Sequence, residues 1–488
     1  MPKITIDDKT YDVAEGKTVL KVCLEQNIPV PYFCYHPRLS IAGNCRMCMV
    51  EIEGRPKLEI SCNTLVQDGM VVRTTTPKAI EARKSVLEFI LINHPLDCPI
   101  CDQAGECDLQ DQYFQFSAVP YRFREEKVHK PKAVPLGPLV MLDDERCIVC
   151  TRCVRFCDEV AKTHELGVAE RGDHSTIVTF ANEGMKNAYS LNTVDICPVG
   201  ALTNRDFRFN KRVWFLKNTP SICAGCATGC NIWMDHQGDV IYRYRPRDNE
   251  AVNQSWMCDE GRLTYKFVNA PDRITSPYAQ EAGGGWARLT WDAALKRLNA
   301  AFAKVPPAER GIVLSAQCSN EENTAWSRLA SEQWKTSLLF GTWRQPSNPT
   351  QDNILRHADK NPNTRCLQEL KCHREYTGGA RLLIVLDTLT PEEATVVEKE
   401  RPEFVVVLAT NWGTDQDAVR WRPIARGLPI SGGSCFPWAD LVLPLATFAE
   451  QAGTFTNAKG MAQRFERAFP PKGEALPAWS IAEKVAGQ

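Results

Sequence analysis

The sequence contains no apolar run approaching the ~18 residues that a membrane helix requires. The best stretch, Val86-Leu87-Glu88-Phe89-Ile90-Leu91-Ile92, already carries a charge. Neither sign of charge is in excess: 58 basic side chains stand against 59 acidic ones, a net charge of −1 that argues against nucleic acid as the main partner. No G-x-G-x-x-G follows a strand, no G-x-x-x-x-G-K-[ST] phosphate loop occurs, and Gly283-Gly284-Gly285 is an isolated turn run. Histidine is scarce. Of eight, His36, His129, His164, His174, His236, His357 and His373 are scattered without a nucleophile or a metal-ligand spacing. The opening Met1-Pro2-Lys3-Ile4-Thr5-Ile6 goes straight into a strand pattern with no secretory or transit segment ahead of it, so a soluble intracellular protein is expected. The 488 residues, 43% hydrophobic and 24% charged, are enough for about three or four domains with real cores.

Cysteine is abundant, at 21 residues, and in a reducing compartment that number points to metal binding rather than to a disulfide framework. Seventeen lie in residues 1–258; only Cys318, Cys366, Cys372 and Cys435 follow. The seam between a cysteine-rich and a cysteine-poor half falls near Asn269-Ala270-Pro271-Asp272.

Four groups stand out in the first half. Cys34, Cys45, Cys48 and Cys62 are set among short strands (Lys3–Ile6, Lys9–Val13, Met49–Ile52, Leu58–Ile60) and a helix from Lys17 to Gln26, a small β-grasp layout. Plant-type ferredoxins hold a [2Fe–2S] cluster with such a loop plus one distant cysteine; the C-x10-C-x2-C-x13-C spacing here is longer, and a zinc knuckle is the alternative. His94, Cys98, Cys101 and Cys107 read H-x3-C-x2-C-x5-C after a helical stretch, Ala79 to Asn93, and before a helix start at Asp108. By itself this group suits a histidine-ligated cluster or a zinc ion about equally. Cys147, Cys150 and Cys153 form C-x2-C-x2-C, and Cys197 precedes Pro198. In bacterial ferredoxins the cysteine before proline serves the cluster of the other triplet, so Cys197 completes one [4Fe–4S] set and leaves Cys157 over as a packed thiol. Cys223, Cys226, Cys230 and Cys258 flank a hairpin, Asn231–Met234 and Val240–Tyr244, and can hold a cubane or a zinc. Four such groups in one chain favour a line of redox centres. With no hydride or phosphate motif beside them, the chain is expected to carry single electrons between sites on other subunits.

In this order the motifs resemble the family of the large iron–sulfur subunit of respiratory complex I (NADH:quinone oxidoreductase), bacterial type. The resemblance implies one [2Fe–2S] cluster on Cys34, Cys45, Cys48 and Cys62, and a [4Fe–4S] cluster on His94, Cys98, Cys101 and Cys107. It implies a second [4Fe–4S] cluster on Cys147, Cys150, Cys153 and Cys197, and a third on Cys223, Cys226, Cys230 and Cys258, the last off the main electron route. It implies a β-grasp ferredoxin domain over 1–78, a module of one histidine and three cysteines over 79–120, a ferredoxin-like module over 121–216 and a four-cysteine module over 217–270. A reduced molybdopterin-oxidoreductase-like α/β domain follows over 271–488. The implied partners are a flavin/NADH-binding subunit and quinone-side iron–sulfur subunits, with a proton-translocating membrane arm reached indirectly, on the cytoplasmic side of the bacterial inner membrane.

In the cysteine-poor half, Arg381–Leu386, a helix from Pro391 to Lys399 and Phe404–Leu408 read as a β-α-β unit of a buried parallel sheet, with Gly311–Ser315 as a further strand. Ala439–Pro444 and Gly453–Gly460 are similar to a recurrent segment of molybdopterin enzymes. Catalytic members carry C-x-K-G-R where this chain has Cys258-Asp259-Glu260-Gly261-Arg262, and residues 271–488 are short for a domain that cradles a large pterin. Leu339 to Lys371 reads as loop and helix, and Pro120 to Pro138 as an extended segment or a solvated loop. No molybdenum or pterin and no independent catalytic site are therefore expected. The alternatives are the relay subunit of an NAD-reducing hydrogenase, a formate dehydrogenase-type molybdenum subunit (for which only Cys318 is at a tempting position), and a multi-zinc scaffold.

Overall fold

In a computed structural model describing residues 1–117, 122–180, 183–282, 284–344, 346, 348–387, 389–412 and 436–487, Ile4 and Ile6 point inward from the strand Lys3–Ile6, as its alternation requires. The chain divides into two units, Met1–Phe215 and Leu216–Gln488. The first begins with a five-stranded sheet in the order Lys9–Asp12, Lys3–Ile6, Met70–Arg73, Met49–Ile52, Glu59–Ile60. Met70–Arg73, absent from the strands expected from sequence, is central and runs parallel to Lys3–Ile6. The helix Val19–Glu25 starts where the Thr18 hydroxyl accepts the Lys21 N–H, and it packs Val19, Leu20 and Val22 on Ile4, Val50 and Val72.

Thr76 and Pro77 start the next helix, Pro77–Leu91. From it the buried Arg83 donates twice to the Met49 carbonyl, tying the helix to the sheet one residue beyond Cys48. Helix Asp108–Phe116 follows the second cysteine group. A three-stranded sheet (Leu202–Asn204, Val140–Leu142, Val134–Pro135) and the helix Arg152–Glu159 frame the third. Of the segment Pro120–Pro138, residues 120 and 121 lie outside the described chain, as do Gly283 of the glycine run and Cys435.

The second unit opens with the antiparallel strands Lys217–Ile222, Asn231–Gln237 and Val240–Pro246. Its main sheet has seven strands in the order Trp286–Arg288, Tyr278–Gln280, Leu441–Pro444, Phe404–Ala409, Leu382–Leu386, Arg310–Ser315, Leu339–Thr342. The last five are mutually parallel. In chain order they lie 2-1-3-4-5, a doubly wound arrangement whose direction reverses between Arg310–Ser315 and Leu382–Leu386. Both faces are covered, which is why the strands are apolar throughout. Ile384, Val406 and Leu441 pack with the helices Trp291–Phe302 and Ala478–Ala486, while Val385, Val407 and Val442 pack with Pro391–Glu400.

Two expectations are corrected. Leu339–Thr342, read as loop, is an edge strand; only Phe340 and its two successors are buried, too little for an apolar run to show. The sheet is mixed rather than wholly parallel, because the hairpin Tyr278–Gln280/Trp286–Arg288 adds antiparallel to Leu441–Pro444.

Candidate metal centres

Cys34, Cys45, Cys48 and Cys62 meet although 28 positions separate the outermost two. Thiol hydrogen bonds join Cys34 to Cys45 and Cys62, and Cys48 to Cys62. Hydrogen bonds received from Cys45 and Cys62 hold Cys34 and Cys48 below the ordinary thiol range; the same bonds push Cys45 and Cys62 up. The Phe33 N–H donates to the Cys45 sulfur at 3.4 Å, and Arg46, between Cys45 and Cys48, takes a left-handed backbone (φ 60°) that turns the loop around the sulfurs.

His94, Cys98, Cys101 and Cys107 line one cavity of about 240 Å³ with Leu91, Leu96 and Leu109. The His94 Nδ1 is buried with no hydrogen-bond partner among the described residues, and burial lowers the imidazole to about 4. A neutral ring with an unsatisfied buried nitrogen, lining a cavity together with three cysteines, has the donor chemistry of a metal ligand. Burial raises Cys107 to about 11, and Cys101 is raised for the same reason.

Cys147, Cys150, Cys153 and Cys197 line a second cavity with Leu142, Ile148, Ile177, Val199 and Leu202. Val149 (φ 51°) and Thr151 (φ 61°) flank Cys150 in the left-handed region, an unfavourable backbone for β-branched residues that recurs where a site imposes it. The Val149 N–H donates to the Cys147 sulfur at 3.4 Å. Burial raises Cys147 and Cys197 to about 12, and Cys150 and Cys153 are raised for the same reason. Cys157 lies apart from this cavity, fully buried one helical turn beyond Cys153.

Cys223, Cys226, Cys230 and Cys258 line a third cavity with Gly225, Gly229, Gly261, Glu260 and Lys360. A Cβ on Gly261 would stand 2.8 Å from the Cys223 sulfur and 3.3 Å from that of Cys258, so only glycine leaves the sulfurs room. The Gly261 N–H donates to Cys258 at 3.3 Å. Glu260, where molybdenum enzymes have lysine, pairs with the buried Lys360 at 3.2 Å, and Thr350 bonds both. Thus an ammonium group does reach this cavity, from a segment about one hundred residues away. Cys318 is buried at the carboxyl ends of the parallel strands, lining a cavity of about 30 Å³ with Gln317, Asp387 and Thr410. That space is large enough for only about two waters.

Among the described residues no group of three or more His, Cys, Asp or Glu is placed to hold a single metal ion. The donor sets, the buried sulfurs, the N–H groups aimed at them and the glycine beside them fit the chemistry of iron–sulfur clusters, with fifteen thiols and one imidazole as the candidate ligands.

Residues not singled out by spacing hold the sets in place. Arg146 pairs through two hydrogen bonds, 3.2 and 2.6 Å, with Asp97, so the residue before Cys147 grips the residue before Cys98. Gly200 packs against the Cys101 sulfur, and the Cys107 thiol approaches the Pro198 carbonyl at 3.9 Å. Arg152 donates to the Ile196 carbonyl at 3.1 Å and stands over the Tyr32 ring. Arg155 is bonded to carbonyls of both Cys34 and Cys150. Gly200 sits inside the Cys-Pro-Val-Gly motif, Arg146 directly precedes Cys147, and Arg152 and Arg155 follow Cys150 closely, but no sequence signal marks Lys360.

Five protein-family models match the chain. They are a 2Fe-2S iron-sulfur cluster binding domain over residues 2–77, an NADH-ubiquinone oxidoreductase-G iron-sulfur binding region over 83–118, an NADH-quinone oxidoreductase subunit 3 ferredoxin-like domain over 137–203, a molybdopterin oxidoreductase Fe4S4 domain over 216–270, and molybdopterin oxidoreductase over 434–488. The chain therefore carries 2Fe-2S ferredoxin, 4Fe-4S ferredoxin-like and molybdopterin-oxidoreductase domains in that order. It is 43% identical over 307 residues to the G subunit of the NADH-quinone oxidoreductase of Rickettsia bellii, covering 63% of this chain and 45% of that protein. It is 45% identical over 364 residues to the NADH-ubiquinone oxidoreductase 75 kDa subunit of Reclinomonas americana, covering 74% and 52%. A solved NAD+-reducing [NiFe]-hydrogenase in the H2-reduced state matches at 28% identity and TM-score 0.39, over 43% of this chain and 91% of that one. The chain spans about half the length of the curated relatives it matches.

Proposed function

We infer that this chain is the large iron–sulfur subunit of an NADH:quinone oxidoreductase, and that it relays single electrons from a flavin-bearing NADH-binding subunit toward quinone. The proposed path runs from the centre at Cys34, Cys45, Cys48 and Cys62 to that at Cys147, Cys150, Cys153 and Cys197, then to that at His94, Cys98, Cys101 and Cys107. Quinone-side iron–sulfur subunits take the electrons onward, and the whole complex couples the transfer to proton translocation. The centre at Cys223, Cys226, Cys230 and Cys258 lies off this path. The observation that carries the reading is that four sets of ligand-type side chains, each dispersed in sequence, are gathered at four separate buried places.

Iron–sulfur clusters supply one-electron oxidation and reduction without bond-making. This chain's residues would fix them, exclude water with apolar neighbours such as Ile148, Ile177 and Leu202, and set their potentials through N–H groups aimed at sulfur. The molybdopterin-type domain is proposed to be a scaffold without molybdenum or pterin, a reading supported by Glu260 in place of lysine and by the small cavity beside Cys318. No helix among the described residues is long and apolar enough to cross a membrane, and attachment to the cytoplasmic face of a bacterial inner membrane is proposed to run through partner subunits.

The test is chemical and spectroscopic. Purified chain should contain iron with acid-labile sulfide, and on reduction give one [2Fe–2S] and several [4Fe–4S] signals in electron paramagnetic resonance. Colourless protein rich in zinc, or stoichiometric pterin, would overturn the assignment.

A further inference from the structure

One side chain in the first unit touches two of the ligand loops at once. Arg155 lies on the helix Arg152–Glu159, which starts beside Cys150 and carries Cys153 as its second residue. The Arg155 Nη2 donates one proton to the carbonyl of Cys34, at 2.6 Å, and the other to the carbonyl of Cys150, at 3.2 Å. Its Nη1 donates to the Ser40 carbonyl, and its Nε to the Thr151 hydroxyl at 3.3 Å. Two acceptors thus belong to the loop of the first cysteine set and two to that of the third. The same helix holds the first loop again at its far end, where Glu159 accepts from the Ser40 N–H at 2.7 Å and from the Ser40 hydroxyl. Asn44 reaches across to the Val149 carbonyl at 3.1 Å.

We propose that Arg155 is the coupling residue between these two centres: one guanidinium nitrogen hydrogen-bonds a carbonyl of the Cys34 loop and a carbonyl of the Cys150 loop, and its charge favours electron uptake at both. The inference rests on the cluster assignments proposed above. With a [2Fe–2S] cluster held by Cys34, Cys45, Cys48 and Cys62 and a [4Fe–4S] cluster held by Cys147, Cys150, Cys153 and Cys197, one electron would pass from the first, oxidising it, to the second, reducing it, with no bond formed and no proton moved.

Arginine is the residue this position requires. Two protons on one planar nitrogen serve two carbonyls from different loops, while the rest of the fork holds Ser40 and Thr151; a lysine ammonium on a flexible stem lacks that fixed geometry. Among the described residues Arg155 makes its hydrogen bonds to three carbonyls and a hydroxyl rather than to a carboxylate, and Glu159, one turn further along its helix, is engaged with Ser40. A positive charge beside a centre stabilises its reduced form, which raises its potential.

The test uses the full chain with its clusters, as wild type, Arg155→Lys and Arg155→Gln. Redox titration followed by electron paramagnetic resonance gives both potentials, and rapid freezing after partial reduction gives the rate between the centres. In Arg155→Gln both potentials should fall, and transfer should slow by roughly tenfold, within the range for loss of a group that supports a metal ligand. In Arg155→Lys the potentials should stay close to wild type while transfer remains slow, because the charge is kept and the double bridge is lost. A merely structural arginine would not separate these two readouts. Wild-type rate in Arg155→Lys, with both signals intact, would overturn the bridge even if Arg155→Gln failed to fold. Absence of the two signals from wild type would overturn the cluster assignment, and the bridge with it.

Discussion

A methyl group on Gly200 would meet the sulfur of Cys101, stand 3.1 Å from Gln103 Cβ and 3.6 Å from Arg146 Cδ. Gly200 follows Cys197 by three residues, yet its neighbour, Cys101, is a proposed ligand of the other set. Gly200→Ala should therefore harm the His94 centre first: its signal should broaden or vanish while the [2Fe–2S] signal persists, with stability reduced by about 1–3 kcal/mol, the usual cost of overpacking. Electron paramagnetic resonance with denaturant titration checks both. At this scale the gathering of the four cysteine groups was legible, since thiols and an imidazole at recognisable spacings line shared cavities or bond to one another. The supports were not. Arg155 bonds to main-chain carbonyls, which every residue has, and Lys360 meets Glu260 from about one hundred residues away.

Among elements, those with continuous apolar runs could be read directly. Leu382–Leu386 and Phe404–Ala409 are buried along nearly their whole lengths, so their composition alone indicates a covered sheet. Met70–Arg73 is only four residues long and alternates in burial, and its partners lie far off in sequence, so nothing local shows it to be central. Ion pairs that fasten elements were also hidden. Arg273 donates to Glu450 at 3.1 and 2.8 Å and to the Thr410 carbonyl, at 3.0 Å, just past the strand Phe404–Ala409; arginine and carboxylate are both buried. Glu450 also accepts from the Thr447 and Lys472 N–H groups. Arg273→Met should cost about 3–5 kcal/mol, because the carboxylate is left buried and unpaired; adding Glu450→Gln should recover part of the loss. Equilibrium unfolding of the three variants measures it, and additive losses would contradict the pairing.

For the whole molecule, the proposed clusters should matter to the two units to different degrees. In Met1–Phe215 the residues around the second and third cysteine sets form short helices, two- to four-residue strands and loops, whereas Leu216–Gln488 contains a seven-stranded sheet covered on both faces. Removing iron and sulfide anaerobically should therefore abolish hydrogen-exchange protection at 98–107 and 147–157, while residues 382–386 and 404–409 keep theirs. Protection unchanged at the cysteine loops would mean that packing, not metal, orders them.

The run Cys197–Ala201 has a bearing on how such a chain can be recombined. It offers a sulfur to one centre, and a bare α-carbon and a carbonyl to the next. The junction between those two modules is consequently a poor place for splicing. A transplanted piece that ends short of residue 201 would leave the donor's histidine-bearing pocket without one of its walls, so grafts, natural or engineered, should succeed only when both pockets travel together.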